Sequence, residues 1–243
     1  MKHPLRGAAA LAIVLGAVLA GAAAANVPAA DPALAHAIAD PARTPKFVAR
    51  DRYRHPAEEL AFFGLKPGMT VVEIWPGAGY WTEILGPYLK SSGHYIAAVT
   101  VSGESKEEDA TTDAWKQRMA REKDKLGPVT LTELGKGHFE VAPAGSADLI
   151  VTFRNLHNWM DSGYAEQALQ GFFTALKPGG ILGIEDHRAR AGHPQDPKAK
   201  SGYVRQDYAI ELARKAGFEF VGASEVAANP KDTTDWPEGV WTL

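Results

Sequence analysis

The strongest pattern along the chain is a short apolar run that ends abruptly in glycines. Val71-Val72-Glu73-Ile74 is apolar apart from one acid and leads into Trp75-Pro76-Gly77-Ala78-Gly79. A run of this length, closed by turn residues, predicts a buried strand of a parallel sheet. Tyr80-Trp81-Thr82-Glu83-Ile84-Leu85 then predicts the start of a helix. Comparable apolar runs over 93–99, 129–134, 147–153, 181–184 and 218–223 predict further strands. Helices are predicted between them over 56–63, 105–126, 164–176 and 203–216. Their ends carry ordinary signals. Pro56 stands at a first turn, Ser105-Lys106-Glu107-Glu108 is a capping box, and Gly64, Gly127 and Gly217 follow the last turns.

Strands alternating with helices at this spacing predict an α/β domain. The expected fold is Rossmann-like: a doubly wound, mostly parallel sheet of six to seven strands. Only Val240-Trp241-Thr242-Leu243 remains after the sixth run, so the seventh strand is expected to be missing or a stub, leaving one sheet edge exposed. Ligands of such sheets sit beyond the carboxyl ends of the strands. Gly77 and Gly79 permit the positive φ and close backbone approach that a ligand-binding turn needs.

The first 25 residues change the picture of where the domain begins. Lys2 and Arg6 precede a small, apolar stretch over 7–25 that ends in Ala23-Ala24-Ala25. This is the pattern of a secretory signal peptide cut before Asn26, and it predicts export to a bacterial periplasm. The chain then divides into a signal peptide (1–25), a linker and N-terminal segment (26–55) and the Rossmann-like domain (56–243). Within the second part, Lys46 to His55 is dense in charge. It reads either as a solvated face or as a lid over a pocket. Nothing after residue 25 is long and apolar enough to span a membrane. There is no cysteine, so neither disulfides nor lipidation at cysteine can occur. A net charge of −3 argues against nucleic acid as the main partner.

Three blocks resemble the class I S-adenosylmethionine-dependent methyltransferases. Glu73-Ile74-Trp75-Pro76-Gly77-Ala78-Gly79 is similar to that family's first motif, acidic-x-Gly-x-Gly-x-Gly. Ser146-Ala147-Asp148-Leu149-Ile150-Val151 is similar to its fourth strand, and Leu176-Lys177-Pro178-Gly179-Gly180-Ile181-Leu182 to its turn into strand five. With the leader, the first block looks like a group of exported, predicted methyltransferases of proteobacteria. The resemblance implies S-adenosyl-L-methionine as cofactor, bound at Glu73, Trp75, Gly77 and Gly79. Two positions depart from the pattern. Trp75 stands at the motif's first glycine, and Val99 stands where the family carries an acid for the ribose hydroxyls. Glu104 is the nearby acid that could replace it.

The candidate chemistry lies after the fourth and fifth predicted strands. Arg154, Asn155, His157 and Asn158 follow one; Glu185, Asp186, His187 and Arg188 follow the other. His157 is the first candidate for a general base and His187 the second, with Glu185 or Asp186 orienting either. Arg154 and Arg188 are candidates for binding an anionic substrate. Tyr80 and Trp81 could touch a ligand, Trp81 also suiting the core. The leading expectation is methyl transfer to a small molecule. A second is a non-catalytic, exported ligand-binding protein on the same fold, which Trp75 and Val99 favour. A third is a metal-assisted hydrolase, although no compact motif such as His-Glu-x-x-His occurs.

Overall fold

The computed structural model describes residues 10–16, 31–103 and 105–242, the first stretch as backbone. The strands are β1 (Ala10–Gly16), β2 (Thr70–Ile74), β3 (His94–Thr100), β4 (Val129–Leu134), β5 (Ala147–Phe153), β6 (Leu176–His187) and β7 (Glu219–Ser224). Order β4-β3-β2-β5-β6 forms the continuous body of the sheet, and every pairing in it is parallel. The chain order reverses between β2 and β5, which is the switch point where such sheets bind ligands.

Alternation along the strands builds two cores. Val72, Ile74, Ile96, Ala98, Ile150, Leu182 and Ile184 face the helices Leu156–Ser162, Ala165–Ala175 and Gln206–Lys215. Val71, Ala97, Val99, Leu149, Val151 and Phe153 face the helices Pro32–Ile38, Pro56–Phe62, Thr82–Leu89 and Lys106–Arg121. Gly183 lets one of these helices lie close: a Cβ there would sit 2.5 Å from the ring of Phe63. Asp148 ties the strand starts together, accepting from Thr70 N at 2.8 Å and from Lys177 Nζ at 2.7 Å.

Several elements differ from the sequence reading. Residues 31–54 form the helices Pro32–Ile38, Pro45–Val48 and Asp51–Arg54, and they bury Leu34, Ala37 and Phe47 in the second core. This described part of the expected linker is therefore packed into the domain. The first of these helices matches the short helical piece expected over 32–39; the alanine- and proline-rich composition hid the other two and the packing of all three. The single helix expected over 164–176 is preceded by another, Leu156–Ser162, separated from it at Gly163 with φ 79°. The chain end makes no strand. Gly239–Thr242 is a 3₁₀ turn, anchored by Val240 N donating to Ser201 O at 2.9 Å.

The backbone of β1 lies between β6 and β7 and pairs in parallel with both. Without a strand at the chain end, β6 and β7 each present an open edge, and a small-residue apolar segment can satisfy both. The rest of the expected signal peptide, residues 1–9 and 17–25, lies outside the described residues. No helix among the described residues is long and apolar enough to cross a membrane.

Candidate functional site

The turn after β2 sets the geometry of the site. Trp75 N donates to Ala98 O at 2.8 Å, which extends the β2–β3 pairing by one residue. The chain then reverses with Trp75 itself at φ 50°, in the left-handed region. For an L-residue that conformation costs about 1–2 kcal/mol. Two contacts on the ring offset it. Trp75 Nε1 donates to Leu134 O at 3.0 Å, and the ring meets Trp159 edge-on at 6.0 Å between centroids. A glycine at this position would carry neither contact. Gly77 and Gly79 follow at φ 55° and φ 90°, as a sharp glycine turn requires.

Glu73 forms the floor beneath the turn and is 1% exposed. Its Oε2 accepts from the Tyr95 hydroxyl and from Thr82 Oγ1, the latter at 3.2 Å. Trp115 Nε1 donates to the same Thr82 oxygen at 3.2 Å. Burial outweighs these hydrogen bonds and pushes the Glu73 carboxyl up to about 7.

Trp75, Pro76 and Gly77 divide a cleft at the carboxyl edge of the sheet into two lobes. The first encloses about 370 Å³ and is walled by Arg50, Arg54, Tyr80, Arg154, His157 and His187. The second encloses about 340 Å³ and is walled by Val99, Thr100, Glu107, Glu108, Thr112 and Trp115. Asn155, Asn158 and Trp241 border both. Trp75, its ring pinned toward Leu134 and Trp159, lines both lobes.

His157 lies on the first turn of the helix Leu156–Ser162, which starts directly after β5. Its Nδ1 is 2.7 Å from Asp186 Oδ1, and its backbone N donates to Asp186 Oδ2 at 3.1 Å. A carboxylate only accepts, so this contact assigns a hydrogen to Nδ1; in the neutral ring that tautomer leaves the lone pair on Nε2. The His157 ring faces Trp241 at 5.4 Å and His187 at 5.9 Å. His187 lines the same lobe. Burial, with the nearby charge of Arg154, pushes its imidazole down to about 4, so it is neutral at neutral pH.

Two expected partners lie elsewhere. Glu185 neighbours Asp186 in β6, so the two side chains point to opposite faces of the sheet. Only Asp186 reaches a histidine; Glu185 lies on the other face, in the field of Arg54 and Arg154. Arg188 turns away from both lobes and pairs with Glu225 at 2.6 and 2.7 Å and with Gln206 at 3.1 Å. Gly79 also lines neither lobe. It packs against Trp115 and Arg118, where an added Cβ would come within 3.3 Å of each. Tyr80 and Trp81 both border the first lobe, and Trp81 is stacked on Phe153 at 4.0 Å as part of the core.

Residues 43–54 close over the turn. Arg43 pairs with Asp51 at 2.7 and 2.9 Å, and Tyr80 donates to Asp51 Oδ1 at 2.6 Å. Thr44 N donates to Glu83 Oε2 at 2.9 Å, and Arg118 pairs with the same carboxylate. These bonds carry Phe47, Arg50 and Arg54 to the first lobe, while Lys46, Arg52 and Tyr53 stay exposed, so the segment combines a pocket wall with a solvated face. The sequence reading missed Glu107, Glu108 and Trp241 as cleft residues. Glu107 and Glu108 were visible only as a capping box, and Trp241 only as part of a stub. Glu104 lies outside the described residues. Among the described residues no group of three or more histidines and carboxylates gathers closely enough to hold a metal ion.

Comparison with solved structures places this geometry. The chain is similar to a SAM-dependent methyltransferase from Aquifex aeolicus, with a TM-score of 0.53 at 20% identity, over 70% of this chain and 82% of that one. It is also similar to CrArsM, an arsenic(III) S-adenosylmethionine methyltransferase from Chlamydomonas reinhardtii. There the TM-score is 0.50 at 19% identity, over 76% of this chain and 62% of that one. The chain has the methyltransferase fold. No family model matches it, and no curated protein matches it. Within this methyltransferase fold, the departures at Trp75 and Val99 fall on the wall and the floor of the second lobe.

The buried Glu73 gives a stability signature. Unfolded, the carboxyl ionises near 4.5; folded, it holds its proton to about 7. The folded state therefore binds more protons across that window, and stability falls as pH rises through it. The loss attributable to this group is on the order of 3 kcal/mol. In urea unfolding, the stability of wild type relative to Glu73→Gln should drop by about that amount between pH 4.5 and pH 8. A difference that stays flat with pH would show that Glu73 is ionised in the folded protein.

Proposed function

We propose that this protein is an S-adenosylmethionine-dependent methyltransferase acting on a small molecule. The observation that carries the proposal is the cleft: two lobes on either side of a glycine turn, at the switch point, with His157, held from behind by the buried Asp186, at the wall of one of them. The group fits the residues present. Gly77 and Ala78 expose backbone beside the start of the helix Thr82–Leu89, and Glu73 lies below them. Glu107 and Glu108 bring carboxylates to the second lobe, where Val99 cannot bind hydroxyls. When bound, the cofactor supplies an electrophilic methyl carbon on a sulfonium sulfur.

The rest is the work of this chain's own residues. The turn and Trp75 fix the boundary between the lobes, so that positioning supplies much of the acceleration. Asp186 holds the His157 ring through Nδ1, and in its neutral form the ring takes a proton at Nε2 from an acceptor hydroxyl, amine or thiol. The lid residues Phe47 and Arg54, and Trp241 near the chain end, border the first lobe. The chain has no cysteine, so it offers no thiolate for a soft metalloid.

A second reading keeps the fold without the chemistry. Val99, in place of an acid, favours a protein that only binds a ligand there. Calorimetric titration of the full chain separates the two. S-adenosylhomocysteine should bind at sub-millimolar concentration; no heat from a folded protein would exclude the transferase. In an assay for S-adenosylhomocysteine release across small phenols, amines and thiols, His157→Gln should lower kcat about 100-fold or more. Its S-adenosylhomocysteine affinity should stay that of wild type. Unchanged turnover would remove His157 as the base.

We also propose export, from the basic start and the apolar stretch ending in Ala23-Ala24-Ala25. Cleavage there would remove β1 and leave β6 and β7 unpaired at the edge between them. Mass spectrometry of the protein made in a bacterial host should find a chain starting at Asn26 in the periplasm. An intact amino terminus in the cytosol would contradict it.

A further inference from the structure

The first lobe holds more positive charge than its surroundings neutralise. Arg50 and Arg54 reach it from the lid, and Arg154 from the end of β5. Among the described residues, none of these three makes an ion pair, whereas Arg43, Arg118, Arg188, Arg190 and Arg205 all do. Arg154 Nε is buried with no hydrogen-bond partner among the described residues. The Arg54 guanidinium lies over the Tyr80 ring at 4.9 Å, a contact that orients it without neutralising it.

The backbone holds these groups in place at a cost. Arg154 has φ 62°, a left-handed conformation, and its N donates to Glu185 O at 2.6 Å. His55, directly after Arg54, has φ 42° and turns the chain from the lid into the helix Pro56–Phe62. Unfavourable backbone on both sides of one pocket, each placing an arginine at its wall, points to a function for the pair.

The carboxyls that feel Arg54 are Glu185 and Glu59. Among the described residues each has a buried oxygen without a hydrogen-bond partner, Oε1 of Glu59 and Oε2 of Glu185. Burial raises both carboxyls, while Arg154 and Arg54 oppose the rise at Glu185. Even with both ionised, two carboxylates face the three guanidiniums of Arg50, Arg54 and Arg154. Burial, and then the charge of Arg154, brings Arg54 down to about 10, still protonated at neutral pH. Asp186 is committed to His157. The lobe thus keeps a positive excess, beside the apolar faces of Phe47, Trp81, Phe153 and Trp241.

We infer that Arg54 and Arg154, with Arg50 at the mouth, bind an oxyanion, carboxylate or phosphate, carried by the methyl acceptor on a flat apolar body. This assignment rests on the methyltransferase reading for the word acceptor; the anion site itself rests on the arginines. The anionic group acts as an anchor, and the atom to be methylated is a different one, facing His157. Planar guanidiniums suit such a group through paired hydrogen bonds.

The test titrates the full chain with benzoate and with inorganic phosphate, read by tryptophan fluorescence and calorimetry, with S-adenosylhomocysteine titrated separately. Benzoate should bind more tightly than phosphate if the apolar body counts, and phosphate alone would assign a bare phosphate site. Arg54→Gln and Arg154→Gln should each weaken anion binding tenfold or more and leave S-adenosylhomocysteine binding unchanged. Arg54→Lys should recover part of the loss, and Arg190→Gln, paired at the surface with Asp235, should behave as wild type. Should Arg154→Gln fail to fold by thermal unfolding, Arg54→Gln and the decline of anion binding with added salt decide. Failure of both anions to bind, or equal binding by wild type and Arg54→Gln, would overturn the proposal. Anion binding that depends on Arg54, without S-adenosylhomocysteine binding, would keep the anion site and reject the transferase.

Discussion

The left-handed backbone of Trp75 is the constraint on which the cleft depends. At the end of β2 the chain must reverse within a few residues to start the helix Thr82–Leu89. A glycine would make that reversal freely. A tryptophan makes it only because its ring is fastened on the far side, to the Leu134 carbonyl and the edge of Trp159. The same fastening decides where the ring stands. Trp75 lines both lobes, so the residue that departs from the expected glycine pattern also becomes the partition of the site.

Charge is sorted across the sheet by the alternation of β6. Asp186 faces the helix Leu156–Ser162 and fixes His157; Glu185 faces the opposite layer, with Glu59, Arg54 and Arg154. One strand end therefore serves two separate tasks. On one face a carboxylate orients a histidine ring. On the other, buried carboxyls lie behind arginines that line an open lobe. The lid joins the two by crossing the turn, held through Asp51, Tyr80 and Glu83.

Much of this was legible in the sequence because parallel strands announce themselves as short apolar runs. The strands from β2 to β7 lie within a few residues of their predicted positions, apart from β6. That strand starts at Leu176 and passes through the Lys177-Pro178-Gly179-Gly180 stretch, whose proline and glycines read as a turn. It then runs on through the polar residues Glu185, Asp186 and His187, which apolar patterning cannot detect. The glycine turn and the convergence of His157, Asp186, His187 and Arg154 were legible too, since the fold puts strand ends together. The split between Glu185 and Asp186 followed from a period of two and could have been read. The roles of residues 31–54 and of Trp241 could not. Their positions depend on long-range bonds, such as Arg43 to Asp51 and Val240 to Ser201, that leave no local pattern.

The central claim is that one cleft, partitioned by Trp75, holds cofactor on one side and acceptor on the other. A crystal structure of the full chain with S-adenosylhomocysteine tests it most directly. The account predicts the ligand crossing the Gly77 turn, with its adenosyl end in the lobe of Val99 and Glu108 and its sulfur toward the lobe of His157, the Trp75 ring unmoved. A ligand confined to another surface, or a Trp75 ring that closes one lobe while the protein binds nothing, would contradict it.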